Sequence, residues 1–77
     1  MTEIHPDYGP AAAHSEHKVG DRITYTQENE TCTGEILWVA AASEHQGKPI
    51  GQHYIVAPDR ESGFVDIVFP GDVLISQ

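Results

Sequence analysis

The sequence predicts an all-β domain of five short strands over residues 19–77, behind an N-terminal segment of different composition, residues 1–18. Three observations carry this. The chain holds 7 Ile and 6 Val against 2 Leu and 1 Met, and β-branched side chains suit a pleated surface better than a helix. Apolar and polar residues alternate with a period of two in several short runs. Clusters of Gly, Pro, Asp and Asn, the residues that turns require, separate those runs.

Met1–Lys18 contains Pro6, Gly9, Pro10, alanines at 11–13, three histidines and few large apolar groups, and reads as a flexible, unanchored tail. Ala11–His17 is long enough for one helical turn only, which is not stable in isolation. The first strand, Asp21–Thr26, sets Ile23 and Tyr25 on one face and Arg22, Thr24 and Thr26 on the other. Glu28, Asn29 and Glu30 turn the chain. The second strand, Thr31–Ala42, is apolar on both faces from Ile36 onward, and Gly34 near its start marks a bulge or bend. Ser43–Gly51 is polar, carries Gly47, Pro49 and Gly51, and reads as a loop. Gln52–Ala57 is the third strand. Residues 58–63 connect it to the fourth, Gly63–Phe69, as a hairpin between two runs rich in Ile, Val and aromatics. Pro70, Gly71 and Asp72 break that strand, and Val73–Ser76 forms the last.

Gly20-Asp21-Arg22-Ile23 opening the first strand, Gly34-Glu35-Ile36-Leu37 in the second and Phe69-Pro70-Gly71-Asp72-Val73-Leu74 at the end resemble phrases of the small SH3-like β-barrels, such as KOW and Tudor domains. The resemblance covers most of residues 19–77 and implies a five-stranded SH3-like barrel. Such a barrel hosts many unrelated functions, so it implies a fold and not an activity.

Residues 19–77 leave 59 positions for a core. A fold of ~60 residues buries only about 60% of the surface its unfolded chain exposes, so this domain is marginal unless something outside it adds burial. Twelve acids against four Lys and Arg give a net charge of −8, which repels phosphate backbones and anionic lipid and makes nucleic acid a poor partner. Cys32 is the only cysteine, which excludes an intrachain disulfide and a cysteine-rich zinc site. No apolar run approaches the ~20 residues of a membrane span, and the N-terminus lacks the pattern of a signal peptide. The expected setting is the cytoplasm, without a membrane partner.

Two strands break the one-face rule of a half-buried sheet. Ile36, Trp38, Ala40 and Ala42 alternate with Leu37, Val39 and Ala41; Val65, Ile67 and Phe69 alternate with Phe64, Asp66 and Val68. Either bent strands contribute to both halves of one core, or the second face is buried against another subunit. Large exposed apolar patches mark contact surfaces, and small domains commonly gain burial by oligomerising. The expectation is a homo-oligomer, most simply a twofold dimer.

The chemistry-bearing residues form no known catalytic pattern. His14 and His17 are three apart, but zinc needs three or four convergent ligands on a rigid frame; His45 and His53 have no acid or thiol at motif spacing. Cys32, in Thr31-Cys32-Thr33, reads as a small hydrophobe of a strand. Ser43, Ser62 and Ser76 lack a nucleophile elbow, and no glycine-rich phosphate loop occurs. No catalytic residue, metal ligand or cofactor is assigned. The acids at turns read as solvated surface. Asp66, between Val65 and Ile67, is expected on the solvent face or in a specific pair, the solvent face being the simpler reading.

Size, the opening strand and Val65-Asp66-Ile67-Val68 also resemble the type II dihydrofolate reductases, short SH3-like barrels that assemble as a tetramer around a pore for NADPH and dihydrofolate. That family carries Val-Gln-Ile-Tyr at the pore, where this chain has Asp66 for the amide and Val68 for the phenol. Thr24 stands where it has a basic residue for the cofactor phosphates. The resemblance therefore implies architecture without the activity. The leading reading is a small acidic interaction module acting through protein–protein contacts and self-associating. Tyr25, Trp38, Tyr54 and Phe64 would give it an aromatic surface. Acids that include Asp66 would rim that surface and suit a basic or proline-containing peptide. A reductase-like oligomeric pore for a small molecule or nucleotide cofactor is the alternative, and a KOW- or Tudor-like nucleic-acid-binding domain the second.

Overall fold

The computed structural model describes residues 4–60 and 63–76. Glu61 and Ser62, expected in the turn after the third strand, lie outside the described residues. The strands are β1 (Ile4–His5), β2 (Gly9–Pro10), β3 (Arg22–Gln27), β4 (Glu30–Ala40), β5 (Ser43–His45), β6 (Lys48–Ile50), β7 (His53–Pro58), β8 (Asp66–Val68) and β9 (Val73–Ser76), with a 3-10 turn at Pro70–Asp72. Five of them make one antiparallel sheet in the order β8-β7-β4-β3-β9. The class is all-β, as the Ile and Val content required. The sheet is not closed into a barrel: β8 and β9 are its two edges, and no pairing joins them. Among the described residues no helix is long and apolar enough to cross a membrane.

Local chemistry explains the long β3–β4 hairpin. Gln27 pairs with Glu30, and between them Glu28 and Asn29 hold φ of 50° and 66°. Two consecutive left-handed residues make the tight turn whose twist matches that of the flanking strands. The irregularity expected at Gly34 falls three residues later, where the β4–β7 register shifts between Ile36 and Trp38. The extra residue reverses the alternation, so Ile36 and Val39 both face inward. Gly34 has another reason to be glycine. It sits between Ile23 of β3 and Pro58 of β7, and a Cβ there would overlap the Ala57 carbonyl and the Val56 side chain.

The inner face holds the core: Ile23, Tyr25, Ile36, Val39, Tyr54, Val56 and Val68, with Ala12, Cys32 and Val73 packed against it. Two expected elements differ. Ser43–Gly51 is a hairpin of β5 and β6 around Gln46 and Gly47, at φ of 52° and 78°. Its strands show no apolar alternation, so composition makes them look like a loop. The fourth core strand is Asp66–Val68 rather than Gly63–Phe69, which leaves Phe64 before the strand.

The expected tail lies on the sheet in this structure. β3 pairs with β4 only up to Glu35, so the same edge of Ile36–Ala40 has backbone groups to satisfy. The chain before β3 satisfies several of them: Gly20 N–H donates to the Ile36 carbonyl and Ala12 N–H to the Val39 carbonyl, while Ala41 N–H donates to the Pro10 carbonyl, at 2.8–2.9 Å. The Trp38 indole N–H donates to the Gly9 carbonyl at 3.2 Å, and His5 lies against the Trp38 ring.

Candidate functional site

Two groupings of side chains bear on function, one on each face of the sheet. On the inner face, β3 carries Tyr25 and β8 carries Asp66 into the same space. The Tyr25 hydroxyl donates to Asp66 Oδ2 at 2.7 Å, and Arg60 Nη2 lies 3.4 Å from the same oxygen. Arg60 also donates from Nη1 to Cys32 Sγ at 2.7 Å. Burial, then the hydrogen bond to Asp66, raises the Tyr25 phenol well above its ordinary range. The expectation of a solvent-facing Asp66 is thus corrected: the carboxylate is buried, and a phenol donor with a partly exposed guanidinium replaces water around it. A base needs an accessible proton donor to act on, and this carboxylate spends its acceptor capacity on the protein's own groups.

The outer face is the second grouping. Alternation puts His53, Ile55 and Ala57 of β7 there, beside Val65, Ile67 and Phe69 on β8 and its flanks, with Glu35 of β4 opposite Ala57 and Ile55 opposite Ile67. Ile55 is only 2% exposed although it lies outside the main core cluster, and it stands between Trp38 of β4 and Ile67 of β8, with which it forms a second, thinner apolar layer. The rim of that layer is open to solvent. Ile67 is 52% and Phe69 44% exposed, and Leu37 and Val65 are exposed as well. The His53 ring lies 5.8 Å from that of Phe69, and its Nδ1 is 2.9 Å from the Gly51 carbonyl. A carbonyl only accepts, so this nitrogen carries the proton in that contact.

The residues expected to form an aromatic surface are dispersed. Tyr25 and Tyr54 are buried in the core. Trp38 is half-buried under residues 5–9. Phe64 is 81% exposed beside β8, and Asp66 points inward. What alternation pointed to without deciding was the outer strip of Leu37, Val65, Ile67 and Phe69, because it left open which of two apolar faces was buried. Of the Tyr25–Asp66 pair, only Asp66 carried a local signal, as a charge between Val65 and Ile67, and nothing local named Tyr25 as its partner.

One groove of about 200 Å³ runs between Ala11–Ala13 and Trp38–Val39, and another of about 220 Å³ lies beside Cys32, Pro58 and Arg60. Both are below the ~300 Å³ at which small-molecule sites begin. Among the described residues no three His, Cys, Asp or Glu side chains converge as a metal site would require. Comparison of the chain with family models, with curated proteins and with solved structures finds no match.

Proposed function

We propose that the chain is a small acidic interaction module of SH3-like design, acting through protein–protein contacts on the outer face of β7 and β8. The observation that carries this is the open apolar rim of Leu37, Val65, Ile67 and Phe69 around the buried Ile55. Contiguous apolar surface of this kind marks contact sites, and a domain this small gains stability from covering it. The SH3-like reading is supported by the strand order, in which the last strand returns beside the first of the sheet, and by the 3-10 turn that introduces it.

The rival readings find less support. A reductase-like pore would need a polar group presented at position 66, and Asp66 is turned onto Tyr25. A nucleic-acid surface would need a cluster of cations, and of the four in the chain Arg22 and Arg60 are engaged by Asp59 and Asp66, with only Lys18 and Lys48 besides. The test is site-specific photocrosslinking in cells, with benzoylphenylalanine placed at Phe69 and, as control, at the exposed turn residue Gln46. Protein adducts concentrated at position 69 are expected. Equal yields at both positions would remove the reading.

A further inference from the structure

The proposed contact face ends at a sheet edge. β8 pairs with β7 on one side, and among the described residues no strand lies on its other side. Such an edge offers a row of backbone donors and acceptors to any extended chain, and proteins that must stay single guard it with lysine, proline, a bulge or an inward charge that disrupts pairing. From Gly63 to Phe69 there is no Lys, Arg or Pro. The one charge, Asp66, is held by Tyr25 and Arg60, and the β7–β8 register is free of shifts. The guards this edge has are its length of three residues and the inward Asp66, and neither blocks the backbone groups that face outward from it.

We infer that its occupant is a second copy of this chain, paired antiparallel along β8 about a twofold axis through Ile67. The inference rests on the outer face being a contact surface, as proposed above. Three features favour a copy over a basic peptide. The segment is self-complementary: with Ile67 on the axis, Val65 meets the partner's Phe69 and Phe69 the partner's Val65. All outer cross-strand pairs are then apolar, and the two outer layers join into one. The charges agree as well. A chain of net charge −8 repels its copy wherever carboxylates meet, yet between Gly63 and Pro70 the only acid is the buried Asp66. A like-charged copy therefore meets no exposed acid at the seam, and a basic peptide would find none to pair with. Finally, pairing of an edge with itself closes at two subunits, which gives a dimer without a filament.

The experiment is sedimentation velocity of the full chain from micromolar to millimolar concentration, at low and high salt. A species of twice the 8.4 kDa chain mass is expected. Added salt should strengthen it, because screening relieves repulsion between two acidic subunits, whereas a basic partner would be weakened by salt. Ile67→Lys should sediment as a monomer, with its fold checked by circular dichroism. The register is read by cysteine pairing in a Cys32→Ala background. Ile67→Cys should oxidise to a covalent dimer, Val65→Cys alone should not, and the double variant Val65→Cys/Phe69→Cys should, because only facing positions bring Cβ atoms within disulfide reach. A monomer at all concentrations, or a dimer unaffected by Ile67→Lys, overturns the inference. If the chain is monomeric while Phe69 still crosslinks to another protein, only the choice of partner fails; if neither occurs, the contact surface fails with it.

Discussion

The Tyr25 hydroxyl donates to Asp66 Oδ2 at 2.7 Å across 41 residues of sequence, joining β3 to β8, two strands separated in the sheet by β4 and β7. Strands three places apart touch only if the sheet curls strongly over its inner face, so this bond closes the concave side that hydrogen-bonded pairing leaves open. Tyr25→Phe should keep the ring in the core and leave the carboxylate short of a donor. The expected cost is about 1–3 kcal/mol, measured by urea unfolding. A variant as stable as the parent would show that Arg60 alone satisfies Asp66.

The same pair sets an alkaline limit. The folded state raises the Tyr25 phenol, first by burial and then through Asp66, and Tyr54 is raised chiefly by burial. Below the unfolded value of ~10 both states keep these protons, and the contribution is constant. Above it the unfolded chain releases protons that the folded chain retains. Stability then falls with rising pH, by up to about 1.4 kcal/mol per unit for each phenol. Thermal midpoints should drop beyond about pH 10, less steeply in Tyr25→Phe; an identical slope in the variant would contradict the assignment.

Removing residues 1–17 should destabilise the domain. It takes away the bonds that residues 10–12 make with Val39 and Ala41 and uncovers Trp38. A loss on the order of 1–2 kcal/mol would lower the thermal midpoint by several degrees in a domain of this size. An unchanged midpoint would return this segment to the unanchored tail that its composition suggests.

Gly34→Ala tests the close approach of β4 and β7. The added methyl meets the Ala57 carbonyl and Val56, backbone and core that cannot both retreat, and about 1–3 kcal/mol of destabilisation is expected. Chemical denaturation would reveal it, and an alanine variant of parental stability would show that the two strands are farther apart.

Much of the sheet was legible because period-two alternation is local. Ile23 and Tyr25 on one face of β3, the turn at Glu28 and Asn29, and the break at Pro70–Asp72 all follow from neighbouring residues. Asp66 was read outward because alternation assigns a face but not a partner, and its partner stands 41 positions away. The N-terminal segment shows the same limit. Its composition forecasts a tail, but what seats it on the sheet is the backbone edge that an eleven-residue β4 leaves beyond a six-residue β3. For Phe64 and Tyr54 the aromatic type was informative about burial only once strand lengths were known.

That β8 carries the contact surface is tested most directly by amide hydrogen exchange of Val65–Phe69 as protein concentration is raised. Pairing along this edge should slow exchange there with increasing concentration, while the exposed turn at Gln46–Gly47 stays unchanged. Exchange at 65–69 that stays equally fast from micromolar to millimolar protein would contradict it.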